Sequence, residues 1–227
     1  DSSNVLLRQG TPFEFNLLEN QRENIVNLYK NKGYFYFSKD NVSYLADSTL
    51  FEKEIVLDIF VGSKEQDSTQ IFTPYYLNDF YFSILPGSMS LTSQNSVDTF
   101  SDTVFWNNLT LFRNSEIRYR PALFERLLQM ESDSLYRLKD ARNTFNAFNR
   151  LRQFRYIDIQ FHDTEAPQDT QLLDCYIRLA PMDKQAVSFD IEGTNTSGNL
   201  GIAGNINYKH RNLFRGAELL QLNFKGA

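Results

Sequence analysis

The alternation of apolar and polar residues divides the chain into three stretches. In the first, Val5, Leu6 and Leu7 lead into a turn at Gly10-Thr11-Pro12, after which Leu18, Ile25, Leu28 and Tyr29 recur at helical spacing. That spacing predicts a helix over about 16–32, with Asn16 as its N-cap and Gly33 placed to stop it. Strands are expected over 34–45 and 53–61, with Ala46-Asp47-Ser48-Thr49 turning between them. In the second strand Ile55, Leu57, Ile59 and Val61 share one face, and Glu54 and Asp58 take the other.

The second stretch repeats this order in fuller form. A strand is expected over 75–85, followed by a long polar loop over 86–103. Val104-Phe105-Trp106 and residues 109–112 then form an aromatic patch that packs back onto the domain. A short helix follows Pro121, over about 122–129. A longer one over 135–151 carries Leu138, Ala141, Phe145 and Phe148 as its apolar stripe. Two strands close the unit, Ile157, Ile159 and Phe161 sharing a face of one, and Leu173, Cys175, Ile177 and Leu179 a face of the other. Leu138, Phe145, Phe148, Ile157, Ile159, Leu173, Ile177 and Leu179 are therefore expected to form one core. Helix, strand, strand occurs twice, which makes the chain an array of small α+β modules.

The third stretch, 184–227, has no helical periodicity. Val187, Phe189 and Ile191 alternate with Ser188, Asp190 and Glu192. Leu200, Ile202, Ile206 and Tyr208 alternate with Ala203, Asn205, Asn207 and Lys209; Leu220, Leu222 and Phe224 alternate with Gln221, Asn223 and Lys225. Turns are expected at 195–198 and 211–216. Three strands of this kind fit a transmembrane barrel, and equally an antiparallel sheet with one wet face.

Composition narrows the classes. With 41% hydrophobic and 22% charged residues the chain is globular rather than disordered. Its 20 Phe and 12 Tyr lean toward sheet. A net charge of −5 argues against nucleic acid as partner. A single cysteine excludes a disulfide framework and any Cys-based zinc site. No apolar run is long enough for a membrane helix, which leaves a barrel open.

The sequence contains no G-x-S-x-G, P-loop, G-x-G-x-x-G or H-E-x-x-H, and no catalytic residue, cofactor site or metal site is assigned. His162 has Asp163 and Glu165 beside it, but on a loop after a strand, a weak metal signal. Asp190 and Glu192 stand on one strand face about 6.5–7 Å apart by strand rise, near the separation of an inverting glycosidase pair. A polar pair lining a barrel lumen explains them more simply. Cys175 falls on an apolar face, as a buried small hydrophobe does. Arg137, Lys139, Arg142, Arg150, Arg152 and Arg155 make the long helix and its exit basic, either as a solvated face or as a surface for anionic lipid or an acidic partner.

Two segments resemble one family. The two-helix, two-strand unit of 120–179 has Met130-Glu131-Ser132-Asp133-Ser134-Leu135-Tyr136 between its helices and Phe154-Arg155-Tyr156-Ile157 opening its first closing strand. It resembles a POTRA domain, a β-α-α-β-β periplasmic module. The second segment runs Phe189-Asp190-Ile191-Glu192-Gly193-Thr194-Asn195-Thr196-Ser197-Gly198-Asn199-Leu200-Gly201, followed by Arg211-Asn212-Leu213-Phe214-Arg215-Gly216-Ala217-Glu218. It resembles the opening barrel strands of outer-membrane assembly proteins of the BamA/TamA type, nearest the TamL-like members of Bacteroidota.

The resemblance implies an α+β chain: tandem POTRA modules, then antiparallel strands of an incomplete transmembrane β-barrel. Residues 1–66 would be a partial POTRA lacking its leading strand, 67–183 a complete membrane-proximal POTRA with an insertion at about 86–115, and 184–227 the first three barrel strands. In this register the chain is a fragment of a longer protein. The implied role is assembly or translocation of outer-membrane proteins without a cofactor, with POTRA in the periplasm and barrel in the outer membrane. Alternatives are a secretion pore of the same superfamily, a soluble periplasmic peptide-binding adaptor and, behind these, a carbohydrate hydrolase. Implied partners are unfolded outer-membrane proteins, outer-membrane lipid and a periplasmic accessory subunit such as a TamB-like protein. The first barrel strand, with Val187, Ser188, Phe189, Asp190, Ile191 and Glu192, would pair with substrate strands.

Overall fold

The computed structural model describes residues 7–8, 10–47, 55–62, 70–85, 102–113, 119–164, 171–196 and 199–226. In chain order these form α1 (Phe15–Lys30), β1 (Val42–Asp47), β2 (Val56–Val61), β3 (Tyr76–Ile84), β4 (Asp102–Trp106) and β5 (Leu109–Arg113). There follow α2 (Pro121–Leu127), α3 (Leu138–Arg150), β6 (Phe154–Asp163), β7 (Leu172–Pro181), β8 (Gln185–Thr196), β9 (Asn199–Arg211) and β10 (Leu219–Gly226). The class is α+β, as expected, and helix–strand–strand recurs as α1–β1–β2 and α3–β6–β7. Two compact units interleave along the chain: 1–78 with 130–142 and 163–173, and 79–129 with 143–162 and 174–227.

In the first unit α1 packs on the antiparallel pair β1–β2, which runs from Val42↔Val61 to Asp47↔Val56. Its core is Val26, Phe37 and Val42, ringed by Ile25, Tyr29, Tyr34, Tyr44 and Ile71. The strand expected over 34–45 is cut back to β1. Residues 34–37 turn beneath the helix instead, because burial of aromatic surface outweighs their strand propensity. Phe37 is fully buried and stacks on Tyr29 at 4.3 Å. The helix starts one residue before the expected cap. Glu14 is the N-cap and makes no side-chain cap bond, so amphipathic packing sets this end rather than Asn16. Leu28 lies about 80° round the helix from Leu18 at 100° per residue and is exposed. Gly33 has φ +94°, and a Cβ there would come within 2.6 Å of Leu135 Cδ1, so both backbone and neighbour require glycine. The turn expected at 46–49 falls partly in β1; its remainder lies outside the described residues.

The second unit holds most of a five-stranded sheet in the order β4-β5-β3-β7-β6. Helices α2 and α3 cover one face through Phe124 and Phe148, whose rings meet Phe82 of β3 at 5.1 and 5.9 Å. Leu173, Cys175, Ile177 and Leu179 of β7 are fully buried, as the alternation predicts. One core assignment is corrected: Phe145 is 40% exposed. The buried stripe of α3 is Ala141, Thr144 and Phe148, and Phe145 sits about 60° round from Phe148. Thr144 holds its place because its hydroxyl accepts the Gln129 N–H at 3.0 Å, so a polar residue is satisfied where the pattern expected an apolar one. Leu138, Ile157 and Ile159 are half-buried, the two isoleucines because β6 is an edge strand.

Helix α2 begins with Pro121 at its first turn, and α3 starts at Leu138 because Leu135 is taken up in a bridge to Tyr76. The polar loop is shorter than expected: Asp102 and Thr103 open β4, while 86–101 lie outside the described residues. The aromatic patch is a hairpin, β4–β5, whose second strand pairs parallel with β3 from Phe80↔Leu109 to Ser83↔Phe112.

A separate three-stranded sheet, β10-β9-β8, is antiparallel throughout and open at β8 and β10. The tip expected at 195–198 begins later, since β8 continues through Thr196.

Candidate functional site

Strand β8 leaves the five-stranded sheet through a short connection that is fastened at both ends. The Met182 N–H donates to the Gln153 carbonyl at 2.8 Å, and the Arg211 N–H donates to the Lys184 carbonyl at 2.7 Å. From there β8 pairs with β9 over twelve positions, Gln185↔His210 to Thr196↔Asn199. The registers stack Val187 with Tyr208 and Leu222, then Phe189 with Ile206 and Phe224, on one face. The other face stacks Ser188 with Asn207 and Asn223, then Asp190 with Asn205 and Lys225. One side is thus apolar and the other polar across three strands. Val187, Phe189 and Ile191 are 54%, 69% and 81% exposed.

All six sequence-predicted pairing residues therefore lie on β8, three per face, and β8 is an edge strand of its sheet. The side of β8 away from β9 has no strand beside it among the described residues. Asp190 and Glu192 stand on the polar face opposite Asn205 and Ala203, on an open sheet rather than across a cleft from each other, where glycosidase carboxylates stand.

The turn between β9 and β10 is organised by a residue whose role its sequence pattern does not show. Asn212, Arg215 and Ala217 have φ of +58°, +66° and +63°. Glu218 gathers this strained loop: its Oε2 accepts the N–H groups of Phe214 at 3.0 Å and Gly216 at 3.2 Å. Asn212 Oδ1 accepts the Ala217 N–H at 3.1 Å. Two bonds then tie the loop to the α+β part of the same unit. The Arg120 N–H donates to the Arg215 carbonyl at 2.8 Å, and Gln153 Nε2 donates to the Glu218 carbonyl at 3.4 Å. Desolvation pushes the Glu218 carboxyl up, but the N–H groups of Glu218, Phe214 and Gly216 and the Arg120 charge outweigh it, and the group lies below its ordinary value. The readable signal was a carboxylate two residues after a glycine in a turn.

The basic residues divide between the units. In the first, Arg137, Lys139 and Arg142 lie at the start of α3 or just before it. The Lys139 N–H donates to Asn31 Oδ1 at 2.8 Å and Arg142 Nη2 donates to Asn27 Oδ1 at 3.1 Å. Burial and then the Arg142 charge pull Lys30 below the usual lysine range. Arg150 and Arg152 belong to the second unit and are exposed.

His162 meets Tyr176 edge-on at 5.3 Å, and among the described residues no three His, Cys, Asp or Glu side chains cluster as metal ligands. Cys175 is a packed group: burial, then the Asp174 charge, push its thiol up, away from the reactive thiolate. Asp163 accepts the Tyr36 hydroxyl at 2.8 Å, and Tyr36 is pushed up to about 12, first by burial and then by that bond.

No family model and no curated protein matches this sequence. Among solved structures, the chain is similar to the crystal structure of BamA from Haemophilus ducreyi lacking POTRA domains 1–3. The TM-score is 0.60 at 10% identity over 96% of this chain and 32% of that one. It is also similar to CdiB from Acinetobacter baumannii, with a TM-score of 0.46 at 15% identity over 95% of this chain and 31% of that one. The chain thus spans about a third of the length of either protein. At 10% identity the first likeness shows the fold alone: α+β modules followed along the chain by an antiparallel sheet.

Proposed function

We propose that this chain is part of an outer-membrane assembly or translocation protein of the BamA/TamA superfamily. In this reading the α+β modules are POTRA domains in the periplasm, and β8–β10 are barrel strands in the outer membrane. The carrying observation is the two-faced sheet. Its apolar face is exposed over all three strands as one contiguous stack, the kind of patch that marks a membrane or partner surface. Lipid would cover that face, and the polar face with Asp190 and Glu192 would line a lumen. The BamA fold supports this placement.

The work done on substrate is non-enzymatic. An incoming strand adds to a backbone edge, either β8 or an edge of the five-stranded sheet. At β8 the energy comes from satisfying N–H and C=O groups that a bilayer would leave unpaired; at the periplasmic sheet it comes from the added backbone ladder itself. No cofactor enters this scheme. Unfolded outer-membrane proteins, outer-membrane lipid and a TamB-like accessory subunit are the partners the reading implies. The TamL-like Bacteroidota type belongs to the same proposal.

Three measurements on the full-length protein test it. In proteoliposomes containing brominated lipid, a fluorophore at Phe189→Cys, Ile206→Cys or Phe224→Cys should be quenched, and one at Ser188→Cys, Asn207→Cys or Asn223→Cys should not. Equal quenching on both faces overturns the barrel reading. Proline at Phe189 or Ile191 should impair substrate assembly more than polar swaps of Ser188, and single cysteines along β8 should crosslink to stalled substrate. If those cysteines capture nothing while cysteines on the Arg142 face of α3 do, the seam role of β8 is wrong.

A further inference from the structure

The five-stranded sheet contains a strand pair that the repeated helix–strand–strand plan does not call for. That plan needs only β3, β7 and β6, and it would leave β3 as an edge. Here β5 lies along that edge in parallel register from Phe80↔Leu109 to Ser83↔Phe112, and β4 lies outside it from Asp102↔Arg113 to Trp106↔Leu109. We propose that the β4–β5 hairpin is a resident edge strand: it occupies the side of β3 that would accept an added polypeptide, and confines strand addition on this sheet to β6. The inference rests on the strand-addition reading above.

Three anchorages make the hairpin a fixture rather than a visitor. At its tip, Trp106 Nε1 donates to Glu125 Oε2 at 2.8 Å and Asn107 Nδ2 donates to Glu125 Oε1 at 2.7 Å, so one carboxylate of α2 grips the last residue of β4 and the first of the turn. At its open end Arg113 donates through Nε at 2.8 Å and pairs through Nη2 at 2.7 Å with Asp102 Oδ2, a two-nitrogen grip. Between these, Leu109 and Leu111 are buried in the sheet's core. A bound segment that must be handed on needs an exchangeable backbone ladder; it does not need a tip clamp, a closed base and two buried leucines. Hydrogen bonds from Trp106 and Asn107 hold Glu125 below its ordinary value, so the clamp is charged at neutral pH.

The edges that remain among the described residues are unequal. Strand β4 has five residues and β6 ten, so β6 offers about twice the outward backbone groups. The occupant that fits β6 is an extended segment alternating apolar and polar residues, because it would continue the two unlike faces of β6, where Ile157, Ile159 and Phe161 alternate with Asp158, Gln160 and His162.

The test uses the full-length protein and a synthetic ten-residue peptide of alternating valine and threonine that carries an activated disulfide. Single cysteines go at two exposed edge positions, Gln160→Cys on β6 and Thr103→Cys on β4, and at Ser83→Cys on β3. Capture at Gln160 should exceed capture at Thr103 or Ser83 by tenfold or more. In a Trp106→Ala/Glu125→Ala background, capture at Ser83 should appear and those amides of Phe80–Ser83 that face β5 should lose hydrogen-exchange protection. Capture at Thr103 or Ser83 equal to that at Gln160 in the otherwise unaltered chain overturns the edge-cap proposal while strand addition itself stands. Capture at none of the three positions overturns strand addition on this sheet, and the proposal with it. The comparison in the unaltered background decides the matter even if the double variant fails to fold.

Discussion

Strands β7 and β8 have nearly the same pattern and opposite fates. In β7 the positions Leu173, Cys175, Ile177 and Leu179 are 0% exposed, whereas in β8 Val187, Phe189 and Ile191 are more than half exposed. The difference is one of neighbours. β7 has β3 and β6 on its two sides, in a sheet covered by α2 and α3 through Phe124 and Phe148. Among the described residues β8 has only β9 beside it, in a sheet whose apolar face is exposed. Alternation fixes that a strand has two unlike faces; it does not say whether the apolar one meets protein, water or lipid.

The comparison can be broken at its strongest point first. Phe148→Ala should cost about 3–5 kcal/mol, because a fully buried ring that touches Phe82, Phe124 and Phe154 leaves a cavity in the α3–sheet core. Urea unfolding of the full-length protein, followed at the five-stranded sheet, measures it. On the β8 side, Phe189→Arg should cost about 2–4 kcal/mol in a bilayer if that face is at mid-depth. The same change should leave hydrogen exchange in β7 as it was. A Phe189→Arg variant that inserts normally would remove the basis for separating the two strands.

A smaller effect is expected at the turn. Glu218→Gln should cost about 1 kcal/mol, the scale of charge-assisted bonds in a partly wet site. Its pH dependence has a definite sign. The folded carboxyl lies below its ordinary 4.5, so the contribution is complete above that value and is lost as pH falls through the lower folded value. Wild type and Glu218→Gln should therefore converge in stability only in that acid range. Smallest of all, Ser188→Asn on the polar face should stay within about 0.5 kcal/mol by the same unfolding assay.

What was legible followed from periodicity over several residues. The three strands after residue 184, the helix–strand–strand repeat and the buried row on β7 all came from alternation that the registers then matched. What was not legible depended on single contacts. Phe145 loses its place to Thr144 because one backbone N–H, that of Gln129, needs the threonine hydroxyl. Residues 34–37 are rich in strand formers yet turn, since Phe37 finds Tyr29 to stack on. The sequence of the β4–β5 hairpin reads only as an aromatic patch, because nothing local in 102–113 shows that its second strand will run parallel to one some thirty residues earlier. Of the candidate site, the faces of β8 were readable and the clasp at Glu218 was not: a carboxylate that binds backbone leaves no periodic trace.

That clasp also bears on the order in which the parts take shape. Asn212, Arg215 and Ala217 each adopt a left-handed backbone that disfavours L-residues by roughly 1–2 kcal/mol. The bonds that offset this include those from Arg120 and Gln153, residues that are in position only once the first turn of α2 and the entry to β6 exist. A nascent chain meets those elements first and the turn afterward. The α+β module is then a mould: the β9–β10 hairpin sets its register against a surface already made, and a module that fails to form leaves the following strands without their starting point.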